Sequence, residues 1–291
     1  MFTGSMVALV TPFKDGKVDE AALRKLIRLQ AAAGTSALVP VGTTGESPTL
    51  THEEASRVIA ICVEEAAGKM KVIAGTGSYS TAQSVASTKA AKAAGADGAL
   101  VVCPYYSKPG QEGVYLHYKA VAEDGGLPVV VYVIPGRSVI NVAPETLARL
   151  SALENIVAVK EASGSLAQAS EIIGLCGDKL VILSGDDGLT LPMMAIGAKG
   201  VISVAANIVP KAMAELVREA AAGDYAKARL LHYNLLPLFK ALYVETNPIG
   251  IKAAMAMENL IGPEIRLPMT PMEEPNQKKL ATAMKQLGLL K

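Results

Sequence analysis

Asn155-Ile-Val-Ala-Val-Lys-Glu161 is an apolar, strand-like run that carries one amine, Lys160. An ammonium at the inner end of a buried strand is costly unless it loses its proton, and the free base is a nucleophile near neutral pH. The chemistry open to such an amine is imine formation with a carbonyl compound. A lysine can equally end a strand by carrying its charge to solvent on a buried stem. The run alone leaves both readings open.

An imine with a keto acid makes three demands: a cradle for the carboxylate, a proton shuttle for the carbinolamine, and a dry environment for the amine. Gly42-Thr-Thr-Gly-Glu46 offers turn amides and the hydroxyls of Thr43 and Thr44, which suit an anion. Tyr132 offers a phenol that can pass protons to and from the imine nitrogen. Ile156 to Val159 supply part of the dry wall. Arg137 suits a second carboxylate held bidentately, and Tyr105-Tyr106 offer two more phenols. Each has a plainer reading: Thr43 and Thr44 as a mere turn, paired tyrosines as interface or core, and Arg137 as a solvated charge.

What would bring these residues together is a repeating α/β pattern. Eight apolar runs rich in Val, Ile and Ala recur: 6–13, 37–42, 72–77, 98–106, 129–135, 156–163, 181–187 and 200–207. They do not alternate apolar with polar, as expected of parallel strands covered on both faces. Helical patterns lie between them, including Asp19–Ala33, Thr51–Ala67, Thr81–Ala94 and Pro144–Leu153. Thr51 with Glu54, Ser80 and Ser165 read as N-caps. Gly34, Gly68 and Gly95 follow helix ends, where a left-handed residue is easiest.

Eight strand–helix units predict a (β/α)8 TIM barrel over residues 1–222, with residues 223–291 as additional C-terminal helices packed outside. Leu235-Leu-Pro-Leu-Phe239 is expected to kink or break one of them. A doubly wound open sheet is the alternative, but it rarely needs eight equal units. In a barrel, function gathers at the C-terminal strand ends. There stand Thr43, Thr44, Tyr105, Tyr106, Tyr132, Arg137 and Lys160.

Composition narrows the function further. The net charge is +1, from 28 Lys+Arg against 27 Asp+Glu, and tryptophan is absent, so nothing marks a nucleic-acid surface. The apolar runs are far short of a membrane span, and Met-Phe-Thr-Gly-Ser-Met at the N-terminus lacks the pattern of a signal peptide. A cytoplasmic protein is expected. Cys62, Cys103 and Cys176 are widely spaced and flanked by apolar residues, which suits buried thiols. Gly75-Thr-Gly-Ser-Tyr-Ser80 lacks the third glycine of a dinucleotide fingerprint, and no Walker lysine follows Gly42-Thr-Thr-Gly45. No cofactor is expected. His52, His117 and His232 lie on separate helical segments without ligand spacing, which disfavours a metal site and a metal-dependent aldolase.

Over nearly its whole length the chain resembles the pyruvate-dependent class I aldolases, most closely their dihydrodipicolinate synthase family. The resemblance lies in Gly42-Thr-Thr-Gly-Glu-Ser47, Pro104-Tyr-Tyr-Ser-Lys-Pro109, Tyr132-Val-Ile-Pro-Gly-Arg137 and Val159-Lys-Glu-Ala-Ser163. Leu183-Ser-Gly-Asp-Asp187, Gly200-Val-Ile-Ser-Val204 and Leu267-Pro-Met-Thr-Pro271 extend it. It implies condensation of pyruvate with aspartate semialdehyde, at the entry to lysine and diaminopimelate synthesis. Lys160 would form the pyruvate imine, and Thr44, Tyr132 and Tyr106 the proton relay, Tyr106 being lent across a dimer interface. Thr43 and Thr44 would hold the pyruvate carboxylate and Arg137 that of the aldehyde. Gly185 and Ile202 would line the pocket through their backbones. A homotetramer built as a dimer of dimers is implied. The alternatives are aldolases of the same superfamily acting on N-acetylneuraminate, 2-keto-3-deoxy sugar acids or 4-hydroxy-2-oxoglutarate, and a barrel that has lost catalysis.

The departures from the family pattern carry expectations too. Val133 stands where asparagine is usual, which should remove an amide beside Tyr132 and alter rate and second-substrate preference. Ser138-Val139, Ala205 and Gly250 also depart. Lysine-inhibited members use an effector pocket that Ser47, His52 and Tyr105 match here, while Ala55, Tyr79 and Gln83 do not. Gln83 replaces a carboxylate that would pair the effector's ammonium. Lysine inhibition should therefore be weak or absent, and tight lysine binding by isothermal calorimetry would contradict this.

Overall fold

In the computed structural model, which describes residues 2–290, eight parallel strands close into a barrel. They are β1 (Gly4–Ala8), β2 (Ala37–Val39), β3 (Lys71–Gly75), β4 (Gly98–Val102), β5 (Val129–Val133), β6 (Ile156–Glu161), β7 (Val181–Ser184) and β8 (Gly200–Ser203). Each pairs with its sequence neighbours, and β8 closes on β1 with Met6 opposite Ile202. The open sheet is thereby excluded. The strands are buried almost throughout, which is why their sequences run apolar without alternation.

The helices between strands show one buried stripe. In Glu20–Ala33 the buried residues are Leu23, Leu26, Ile27 and Gln30, spaced as successive turns of one face. Asp19 caps that helix through Ala22 N–H, and Thr51 and Glu54 cap each other's backbone in His52–Ala66. Ser80 and Ser165 cap Thr81–Ala93 and Leu166–Cys176. Gly34, Gly68 and Gly95 all take positive φ.

Most of the strands stop short of the apolar runs that predict them. Ala205–Asn207 forms a 3-10 turn, and Pro135–Ser138 a single helical turn, where the chain leaves the ladder to build the face above the barrel. Phe13, at the end of the first run, lies instead in a small hairpin, Phe13–Lys14 against Lys17–Val18. The helix Tyr225–Leu242 runs through Pro237 without a break. The carbonyl that Pro237 leaves without a donor belongs to Tyr233, on an exposed part of the helix where water can serve it. Helices Ile249–Met257 and Glu274–Gln286 complete the chain, and their apolar faces join the same core as the barrel. Gly250 permits this packing, because a Cβ there would press on the backbone carbonyl of Leu242.

Candidate active site

Lys160 lies on β6 directly opposite Tyr132 on β5, so the ladder sets the two side by side on the same face. Lys160 is 5% exposed, and its Nζ stands 4.2 Å from the centroid of the Tyr132 ring. Burial lowers its pKa from 10.5 to about 8; Asp187 pulls it upward and Arg137 pushes it down further. An appreciable fraction is thus the free amine at neutral pH. Formation of a trappable pyruvate adduct should fall about tenfold per pH unit well below 8 and level off above it. A rate that climbs steadily to pH 10 would mean an ordinary, solvated lysine.

Tyr132 is buried, and burial pushes its phenol up to about 12, against the lowering effects of Arg137 and of a polar contact with the Thr43 hydroxyl. It is therefore a protonated phenol at neutral pH, a donor beside an amine. Thr44 is buried with its Oγ1 accepting from Asn247 Nδ2 at 3.0 Å. As an acceptor in that bond, Thr44 keeps its own hydroxyl proton to donate.

Arg137 stands on the turn Pro135–Ser138, which Ser138 closes by donating to the carbonyls of Ile134 and Ile140 at 3.0 and 2.8 Å. One guanidinium nitrogen donates to Asn247 O at 2.8 Å and Thr246 Oγ1 at 3.2 Å. The remaining donors are left for an anion. Gly185 lies against the nucleophile: a Cβ there would sit 3.1 Å from Lys160 Cε and 2.6 Å from Ala162 Cβ. A side chain at this position would displace the lysine stem.

Tyr106 and Ile202 stand at opposite extremes of exposure. Tyr106 is 86% exposed at φ 66°. Ile202 is wholly covered inside β8, opposite Met6 of β1. Val133 faces away from the Tyr132 side chain, because successive residues of a strand face opposite ways. It packs in the apolar core, level with Glu161, whose carboxylate accepts from Ser163 N and Gln168 Nε2 on the helix side. Val133 thus does not stand beside the phenol. Cys103 is buried, and burial pushes its thiol up to about 12, which removes it as a nucleophile.

Sequence reasoning missed Asp187, Thr246 and Asn247. Asp187 is buried, accepts from Val204 N and Ala205 N at 3.2 and 2.9 Å, and has its other oxygen unpartnered. Burial raises its carboxyl to about 6. Its place in Leu183-Ser-Gly-Asp-Asp187, just past a strand end, was the available signal. Asn247 lies over 200 residues from Thr44 in sequence, and nothing local announces that contact. Of the residues compared with the lysine-inhibited pattern, Gln83 accepts from Ser78 Oγ at 2.7 Å and Tyr79 stacks edge-on to Tyr105. No group of three or more His, Cys, Asp or Glu residues that could hold a metal occurs among the described residues.

The model of the dihydrodipicolinate synthetase family matches residues 1–287. A 4-hydroxy-tetrahydrodipicolinate synthase from Geotalea uraniireducens is 55% identical over 290 residues, covering 100% of both chains. The crystal structure of dihydrodipicolinate synthase from Aquifex aeolicus superposes with a TM-score of 0.97 at 50% identity over 99% of each chain. The chloride-inhibited enzyme from Acinetobacter baumannii, solved in complex with pyruvate, gives 0.98 at 43% identity over 100% of each. With a buried amine and phenol paired on adjacent strands and full-length likeness of this degree, the chain belongs to the dihydrodipicolinate synthetase family.

Proposed function

We propose that the protein condenses pyruvate with L-aspartate 4-semialdehyde to give 4-hydroxy-tetrahydrodipicolinate, in lysine and diaminopimelate biosynthesis. The observation that carries this reading is the buried Lys160 amine against Tyr132, with its pKa lowered to about 8. The curated relatives' shared name supports the substrate pair.

The free amine of Lys160 adds to C2 of pyruvate, and the carbinolamine loses water to form the imine. Tyr132, in a relay with Thr44 and with Tyr106 of a neighbouring protomer, supplies the proton that the departing hydroxyl needs. Loss of a methyl proton gives the enamine, whose carbon attacks the aldehyde carbon while the aldehyde oxygen takes up a proton. The substrate's own amine then attacks C2, releases Lys160 and closes the ring. One water leaves overall. Thr43, Thr44 and their turn amides hold the pyruvate carboxylate, and Arg137 holds that of the semialdehyde. Gly185 keeps the lysine stem free to move, and Ile202 backs the barrel wall.

Tyr106 in this reading serves the relay of a neighbouring protomer, and its exposure suits that role. A homotetramer, a dimer of dimers, follows from the same reading, and exposed Leu230 and Tyr233 on one helix suit a second interface. Residues 1–222 form the catalytic barrel and 223–291 an extension that reaches back to the site through Thr246 and Asn247. Three buried free cysteines suit the cytoplasm. Steady-state assays with pyruvate and a panel of aldehydes test the substrate. Aspartate semialdehyde should exceed polyol aldehydes in kcat/KM by on the order of 100-fold or more, and a preferred polyol would replace this reading with a sugar-acid aldolase.

A further inference from the structure

The turn bearing Thr43 and Thr44 is bounded by two residues in the left-handed region, Val41 at φ 57° and Glu46 at φ 55°. For a β-branched residue this is a steric outlier, and it persists only where the surroundings over-determine it. Within the turn, Gly45 N–H and Ser47 N–H both donate to Gly42 O, at 3.1 and 3.3 Å. Thr11 Oγ1 donates to Gly45 O at 2.8 Å.

The strongest restraint lies beneath. Glu46 and Lys252, from helix Ile249–Met257, are both buried and form an ion pair. Lys252 Nζ also donates to Thr11 O at 3.1 Å and lies 4.3 Å from the centroid of the Phe13 ring. The second oxygen of Glu46 accepts from Arg266 N at 3.0 Å. The carboxylate is thus gripped from two parts of the C-terminal extension, and Asn247 adds a third tie at Thr44. A buried pair of this kind contributes little to stability compared with well-packed apolar residues. Its geometry, however, decides where the turn stands.

We propose that Glu46 and Lys252 are positioning residues of the keto-acid site: the buried pair pins the far end of the Gly42–Glu46 turn and thereby sets Thr43 and Thr44 for the pyruvate carboxylate. Neither residue touches the substrate. The inference rests on the pyruvate reading above, and it explains why the C-terminal helices belong to the site rather than merely covering the barrel.

Steady-state kinetics of the full-length Glu46→Gln and Lys252→Met variants test it, with thermal melts run alongside. Pyruvate KM should rise about tenfold in either folded variant, with kcat at saturating pyruvate within about threefold and the aldehyde KM within about twofold. Destabilisation alone would lower the active fraction, and so kcat, without moving pyruvate KM selectively. A pyruvate KM within about twofold of wild type in folded Glu46→Gln overturns the proposal, as does a change in kcat alone. Glu46→Gln keeps the size of the side chain and an acceptor for Arg266 N, so it remains decisive if Lys252→Met does not fold. Wild-type protein that forms no imine with pyruvate would instead refute the underlying reading.

Discussion

Lys160→Met will lower kcat by on the order of 10⁴-fold or more, because no other amine is placed to form the imine and the covalent route is lost with it. The fold should survive. Methionine is close to lysine in length and apolar, and the site already disfavours a charge strongly enough to bring the lysine pKa down to about 8. The variant's melting temperature should therefore equal or exceed that of wild type. Loss of activity without loss of stability separates a catalytic amine from a structural one. A variant retaining a tenth of wild-type turnover would show that the imine is not on the path.

Tyr132→Phe is expected to have the second largest effect, a fall in kcat of about 10²- to 10³-fold, in the range of a positioned general acid–base group. The ring remains beneath Lys160, so the apolar wall and the depressed lysine pKa persist, and only the phenolic proton is removed. Pyruvate KM should change little, since the carboxylate cradle belongs to the Gly42–Glu46 turn. Because burial holds the phenol near 12, the wild-type enzyme should show no phenol ionisation below pH 10 in its kcat profile. A mere twofold loss in Tyr132→Phe would point to water as the proton carrier.

Much of this architecture was legible in the chain. The eight strands announce themselves because strands buried on both faces have no polar side to show, and the caps at Thr51, Ser80 and Ser165 are local in sequence. Strand ends were less legible, because the apolar sequence continues past the ladder, through Ile134-Pro135 after β5 and Val204-Ala-Ala206 after β8. At the site, Lys160, Tyr132 and Gly185 fall where their strands put them. The tie from Asn247 to Thr44 was not legible, since it comes from far along the chain. Val133 illustrates the opposite error: adjacency to Tyr132 in sequence implied adjacency in the pocket, and the pleat places it in the core instead.

The central claim is that the Lys160 amine forms an imine with pyruvate. Incubation with pyruvate and borohydride, followed by peptide mapping, tests it most directly. The reduced adduct should appear on the peptide containing Lys160 and on no other lysine, including the buried Lys252, and its formation should abolish turnover. An unmodified Lys160 with pyruvate turnover intact would contradict the account.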